Sequence, residues 1–187
     1  MTGEKILVVS DTHGNIPALE AVLKWAAADK TINTAFFLGD GLQDLNRVPA
    51  TGFSPEWVQV KGNNDYAPSV PEVAVFELNG HRFFLCHGHR FRLNNNYDTL
   101  FAAARNTESE AVFFGHLHIP VFEKADGLLL VNPGSVGWPR NNTGASFAVI
   151  NCKPQELLNV EFWSIDDHGK IFEFFPLSSL SKNMNHR

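Results

Sequence analysis

Cysteine is scarce: Cys86 and Cys152 are the only two in 187 residues, and they lie far apart in the chain. Such a pair is no disulfide framework, fits a reducing compartment and is too small for a thiolate metal site. Long apolar runs are missing as well, none approaching the ~20 residues of a membrane span. The first strand is expected from Lys5, which leaves no room for a signal peptide, so a cytoplasmic chain without membrane contact is expected. Basic charge is short too, with 15 Lys and Arg against 20 Asp and Glu, a formal net charge of -5. That balance argues against holding duplex nucleic acid by its phosphates. Repeats and low-complexity segments are absent, and only Ser178–Arg187 reads as a polar, frayed tail. Asn141-Asn142-Thr143 spells a glycosylation sequon that a cytosolic chain would not use.

What is present is apolar and rich in histidine. A hydrophobic content of 44% with 16 Phe excludes a disordered chain. The length suits one domain over residues 1–187, which would bury about 70% of its unfolded surface. Lys5–Ser10 is a β-branched run typical of a strand buried on both faces, and Ile16, Leu19, Val22, Leu23 and Ala26 recur at helical spacing, predicting a helix over Pro17–Asp29. Strands at Thr34–Leu38 and Trp57–Val60 complete a parallel α/β beginning. The remainder reads as β-rich. A hairpin pairs Val73–Leu78 with Arg82–Cys86 across Asn79-Gly80-His81, the Asn-Gly pair being a strong turn signal. A helix over about Asn96–Asn106 and a strand at Ala111–Phe114 follow. A second hairpin joins Val121–Lys124 to Leu128–Val131 across Asp126-Gly127. Strands at Ser146–Asn151, Asn159–Ile165 and Lys170–Phe174 end the pattern, the last two joined at Asp167-His168-Gly169. Two sheets packed face to face with helices outside would use both halves in one core.

Five of the apolar runs end in polar residues that suit a metal: Asp11-Thr12-His13, Gly39-Asp40, Gly62-Asn63-Asn64-Asp65, His87-Gly88-His89 and Gly115-His116-Leu117-His118. Ligands of open α/β sheets bind beyond the carboxyl ends of strands, where such loops converge. In extended chain, residues i and i+2 project to the same side, so Asp11 with His13, and His116 with His118, are expected to act as pairs. Oxygen and imidazole donors favour Mn, Fe, Zn, Co or Ni over copper(I) or iron–sulfur clusters. If His87 points to the site, Cys86 should point away.

Taken in order, the motifs Asp-x-His, Gly-Asp, Gly-Asn-x-Asp, His and Gly-His-x-His resemble the calcineurin-like metallophosphoesterases. The short single-domain bacterial and archaeal phosphodiesterases resemble the chain further in their compact length and an Asn-Pro-Gly-Ser segment, here Asn132–Ser135. The likeness runs from Ile6 to about Arg140. It implies an α/β fold, a four-layer α-β-β-α sandwich of two mixed β-sheets flanked by helices. It also implies a dinuclear centre bridged by Asp40. One divalent ion would take Asp11, His13, Asp40 and His118, and the other Asp40, Asn63, His87 and His116. Manganese is the first expectation, with Ni, Zn, Fe, Co and Mg as alternatives. The implied reaction is phosphodiester hydrolysis, in which water shared by the metals attacks phosphorus in line as hydroxide. Only two of the seven ligands are anionic, so the centre stays positive and offsets most of the formal -5.

Two further residues are assigned to catalysis. Asn64 stands where many members of the family have a histidine; it can donate a hydrogen bond but cannot deliver a proton at neutral pH. That favours leaving groups that depart unprotonated. Asp65 is expected to orient a ligand or a loop. Taken singly, Asp11 and Asp40 would read equally well as helix caps. His89 is left between site and solvent, while His81, His168 and His186 are expected at the surface. Arg90, Arg92 and Arg140 are assigned structural or solvent roles ahead of phosphate contact. The expected partner is a small or single-stranded phosphodiester, with homo-oligomerisation left open. The alternatives are a phosphomonoesterase, a non-catalytic metal- or protein-binding scaffold on the same fold, and a repair nuclease, which the acidic balance disfavours.

Overall fold

The computed structural model describes residues 3–93, 96–125, 127–140, 142–166 and 168–175. Asp126, Asn141, Asp167, the tail 178–187 and His186, all named above, lie outside them. Among the described residues, eleven strands form two mixed sheets. The first sheet holds β1 (Glu4–Val9), β2 (Ile32–Phe37), β3 (Glu56–Gln59), β9 (Ala145–Cys152), β10 (Asn159–Ile165) and β11 (Ile171–Phe174), in the order β11-β10-β9-β1-β2-β3. The second holds β4 (Val73–Leu78), β5 (His81–Cys86), β6 (Ala111–Phe114), β7 (Pro120–Ala125) and β8 (Leu128–Pro133), in the order β4-β5-β6-β8-β7. Helix α1 (Ile16–Ala27) follows β1, and α2 (Asp98–Asn106) connects β5 to β6.

Side-chain alternation sorts the layers. Ile6 and Val8 of β1, Phe36 of β2, Phe83 and Leu85 of β5 and Phe113 of β6 fill the space between the sheets. The rings of Phe36, Phe83 and Phe113 meet one another with centroids 5.6–5.9 Å apart and steeply inclined planes, the arrangement aromatic quadrupoles prefer. Their neighbours point outward: Leu7, Val9 and Phe37 meet Leu19, Val22, Leu23 and Ala26 of α1. On the far side Phe84, Cys86, Val112 and Phe114 meet Leu100 and Ala104 of α2. Helix, sheet, sheet and helix thus stack in four layers, as the pattern implied. Cys86 faces the α2 layer, so its neighbour His87 turns the other way.

Local chemistry sets the ends of the elements. Asn15 caps α1 by accepting from the Ala18 amide, so neither Asp11 nor Asp40 serves as that cap. Asn79 and Gly80 adopt φ of 54° and 84°, the two positive angles of a two-residue hairpin turn, with Leu78 paired to His81. His81 therefore belongs to β5, and at 7% exposure it corrects the expectation of a surface residue. Its Nδ1 lies 2.5 Å from Glu110 Oε1 and its Nε2 2.9 Å from the Lys153 carbonyl, which ties the second sheet to the end of β9. His168 is exposed, as expected. A short 3₁₀ turn at Leu42–Asn46, not foreseen in the sequence, occupies the loop after β2.

Candidate metal centre

β1, β2 and β3 run parallel in one sheet, as do β5 and β6 in the other, so the loops that follow them leave at the sheets' carboxyl edges. The two edges are joined directly: His87 Nδ1, just past β5, donates to the carbonyl of Leu38, just past β2, at 2.7 Å. The loops after β2 and β3 touch with almost no space. A Cβ on Gly62 would lie 2.0 Å from Asp40 Oδ1, and one on Gly39 2.4 Å from the Gly62 nitrogen, so only glycine fits at either position.

Asp11 is fully buried. Its Oδ2 accepts from the Ser10 hydroxyl at 2.6 Å and from the His116 amide at 3.0 Å. Its Oδ1 makes no hydrogen bond, yet lies 3.1 Å from His118 Nε2, 3.7 Å from His13 Nε2 and 3.9 Å from His87 Nε2. The imidazoles are oriented from behind. His118 Nδ1 donates to the Trp138 carbonyl at 2.6 Å, as His87 Nδ1 does to Leu38, leaving each Nε2 with a lone pair turned inward. His87 Nε2 is buried without a partner, 3.4 Å from Asp40 Oδ2, and His13 Nε2 and His118 Nε2 are 3.1 Å apart. Lone pairs and carboxylate oxygens at these separations repel one another unless a proton or a metal cation lies among them.

Donor atoms of Asp11, His13 and His118 lie within 4.8 Å of one another, as do those of Asp11, Asp40 and His87. His116 stands outside both groups, its ring 5.2 Å from that of His87, and Asn63 is exposed on the turn before Asn64. Asn64 bonds Asp40 twice, through its amide to Oδ1 at 2.8 Å and through Nδ2 to Oδ2 at 2.6 Å. Asp65 holds the loop itself: Oδ2 accepts from the amides of Asp40 and Gly62, and Oδ1 from those of Gly41 and Leu42.

Burial works to raise the Asp11 carboxyl, but His118, His13, His87 and the Ser10 hydroxyl outweigh it and leave it at about 2. Asp40 is likewise held well below the usual range, burial being overcome by His87 and Asn64. His13 is raised, chiefly by Asp11; His87 is raised by Asp40 and Asp11 against the effect of its burial. His116 and His89 are lowered, first by burial and then by the charge of His87.

Asp11 and His13 meet by a different route from the one expected. Asp11, His13, Asp40, His116 and His118 all have positive φ, from 43° to 69°, so none of them continues a strand. Left-handed backbone at five non-glycine residues is uncommon and gathers at functional sites. One site partner escaped the sequence reading. Asp44, fully buried, accepts from Thr12 Oγ1 at 2.6 Å and from the Gly14 amide at 2.8 Å, fixing the loop that carries His13. Its only sequence signal is an acid four residues beyond Asp40. The Ser135 hydroxyl donates to the Asp11 carbonyl at 2.7 Å and Asn132 Nδ2 to the Gly115 carbonyl at 2.7 Å, which places the Asn132–Ser135 segment directly behind the site. His89 lies against it, its ring 5.5 Å from that of His87 and its Nδ1 buried without a partner. Arg90 pairs with Glu72 at 3.0 Å.

A buried cluster of carboxylates and imidazoles at the edge of a four-layer sandwich matches the family to which the residues pointed. The model of the calcineurin-like phosphoesterase superfamily domain covers residues 5–155, and the chain belongs to that family. A probable metallophosphoesterase of Mycoplasma pneumoniae is 36% identical over 140 residues, covering 73% of this chain and 82% of its own. Phosphodiesterase YfcE of Escherichia coli is 29% identical over 169 residues, covering 79% and 87%. The crystal structure of Vps29 from Entamoeba histolytica shares the fold, with a TM-score of 0.75 at 22% identity over 91% of this chain and 97% of that one. The chain is therefore a phosphoesterase-family hydrolase with Asp and His groups suited to divalent metal. Among the described residues no helix is long and apolar enough to cross a membrane.

Proposed function

We propose that the chain is a dinuclear metal-dependent phosphodiesterase. The observation that carries this reading is the set of inward-facing, uncompensated donors: Asp11 Oδ1 and His87 Nε2, buried and without hydrogen bonds, among His13, His118 and Asp40. Asp11, His13, Asp40 and His118 would hold one ion, and Asp40, Asn63, His87 and His116 the other. Oxygen and imidazole donors of this kind can hold Mn, Ni, Zn, Fe, Co or Mg, and manganese is the ion expected first from the family resemblance. Two such ions supply Lewis acidity and a strong nucleophile from water near neutral pH.

The chain's own residues arrange the rest. Leu38 and Trp138 carbonyls fix the tautomers of His87 and His118, so that Nε2 is the ligating atom in each. Asp65 clamps the loop bearing Asp40, and Asp44 the loop bearing His13. Asn64 has an amide group beside the Asp40 carboxylate, from which it would steady the phosphoryl oxygens, but it offers the leaving group no proton. Hence the preference for diesters with good leaving groups. A small or single-stranded ester fits the net charge of -5 better than a duplex. The two unpaired cysteines support a cytoplasmic setting.

The test pairs elemental analysis of purified protein with hydrolysis of an aryl diester and an aryl monoester, adding Mn, Ni, Zn and Mg in turn. Two bound ions and faster diester turnover are expected. Bound metal without turnover under any ion would establish the scaffold alternative, faster monoester turnover a phosphomonoesterase, and absence of bound metal would overturn the ligand assignment.

A further inference from the structure

The Trp138 side chain stands exposed beside the candidate centre. Trp138 is 66% accessible, yet its backbone is among the most constrained near the site. Its amide donates to Ser135 Oγ at 2.7 Å, and its carbonyl accepts from His118 Nδ1 at 2.6 Å. The preceding segment is sewn to the loop of Asp11: Val136 and Gly137 amides donate to the carbonyls of Ser10 and Asp11, each at 3.1 Å. A Cβ on Gly137 would fall 1.8 Å from the Thr12 carbonyl oxygen, so the two loops lie in direct contact. The backbone that carries the indole is thus held in place, while solvent covers most of the ring. Its centroid is 5.6 Å from the His13 ring, nearly perpendicular to it, and 6.5 Å from the His118 ring.

An exposed tryptophan is costly to leave in water, and singly placed surface hydrophobes ordinarily need no explanation. Here the position supplies one. The indole flanks His13 and His118, two imidazoles assigned to a single metal ion, and most of its surface is open to solvent. Flat rings stack on indole faces whatever their hydrogen-bonding pattern.

We propose that Trp138 is the specificity-determining residue for an aromatic substituent of the substrate, an aryl or nucleobase ring one ester or sugar unit from phosphorus, which stacks on its indole. The inference rests on the metal-site reading above. It narrows the substrate class from phosphodiesters at large to those carrying a flat ring, and it gives Trp138 a binding role with no part in the bond-breaking step.

The test is equilibrium dialysis of phenyl phosphate, thymidine 5′-monophosphate, methyl phosphate and inorganic phosphate against the manganese-loaded full chain and its Trp138→Ala and Trp138→Phe variants. The wild type should bind the two ring-bearing esters more tightly than methyl phosphate. W138A should weaken ring-bearing esters by roughly tenfold, the scale of one stacked base, and leave methyl and inorganic phosphate within about twofold of wild type. W138F, which keeps a flat ring, should recover most of the loss. Tighter binding of phenyl phosphate alone, or of the nucleotide alone, would identify which ring source the indole serves. Equal weakening of all four ligands, or none, overturns the proposal, as does a wild type that does not prefer the ring-bearing esters. Hydrolysis of an aryl diester by the same manganese-loaded wild type is read separately: its absence counts against the phosphodiesterase reading, whereas the dialysis comparison still decides the role of Trp138.

Discussion

His87 and Leu38 lie 49 positions apart in sequence and follow strands of different sheets, yet the imidazole Nδ1 of one donates to the carbonyl of the other at 2.7 Å. This bond fixes which nitrogen of His87 faces Asp40 and Asp11, and it does so across the seam between the sheets. His87→Ala should remove one of the two ions. Elemental analysis should then give about half the wild-type metal, and turnover should fall more than ~100-fold, since even the loss of a ligand's outer partner costs ~10–100-fold. Unchanged metal content would remove His87 from the ligand set.

Asp65 is the only side chain that Asp40, Gly41, Leu42 and Gly62 amides share among the described residues. Asp65→Ala strands those donors inside the loop. Stability should drop by about 3 kcal/mol, seen as a lower urea midpoint, together with weaker metal binding because Asp40 loses its mooring. A variant as stable as wild type would show that water replaces the carboxylate at no cost.

Asn64 decides the leaving-group preference. Asn64→His places a proton donor beside Asp40, and general acid catalysis is worth ~10²–10⁴-fold where the leaving group needs a proton. The turnover of methyl esters should therefore rise more than that of 4-nitrophenyl esters. Equal changes in both would refute the role given to Asn64.

Metal affinity should depend on pH. His13 is raised chiefly by Asp11, and His87 by Asp40 and Asp11 despite its burial. In both, the proton occupies a lone pair that a metal must take. Binding therefore releases protons, and affinity climbs as pH rises through this elevated imidazole range, levelling off above it. Calorimetric titration of the apo-protein with Mn²⁺, in buffers of unequal ionisation heat, should show more protons released near about pH 6 than near about pH 8. A pH-independent affinity would contradict ligation by these two histidines.

His81, at the opposite end of β5 from His87, bridges the Glu110 carboxylate and the Lys153 carbonyl. His81→Ala should destabilise the fold by about 2 kcal/mol, measured by urea unfolding, while metal content stays at the wild-type level. Loss of metal in that variant would show that the far ends of the sheets are coupled to the centre.

The repeating pattern of apolar runs ending in Asp, Asn and His was enough to locate the strands and their carboxyl ends, because buried strands and chelating side chains each have a narrow residue vocabulary. Element boundaries came within a few residues: the helix read as Pro17–Asp29 is Ile16–Ala27, and Val73–Leu78 is unchanged. The two-residue turn at Asn79-Gly80 was legible for the same reason, since few residues accept positive φ twice in succession.

What the chain alone could not specify depends on contacts between distant segments. His81 was misread because a histidine after Asn-Gly looks like turn; only the arrival of Lys153 and Glu110 buries it. Asp11 and His13 were expected to pair as alternate residues of a strand, but they pair through left-handed backbone that the loops of Asp44 and Ser135 hold in place. Asp44, Ser10 and the carbonyls of Leu38 and Trp138 carry no motif, since a hydrogen-bond partner need only be a generic polar group in the right place. Sequence by itself determined which residues are able to hold metal and which strands deliver them, because donor chemistry and hydrophobic period are properties of residues. Tertiary structure decided which lone pairs face one another, which aspartate binds only amides, and that Trp138 stands beside the histidines, because orientation and proximity exist only once the two sheets have packed.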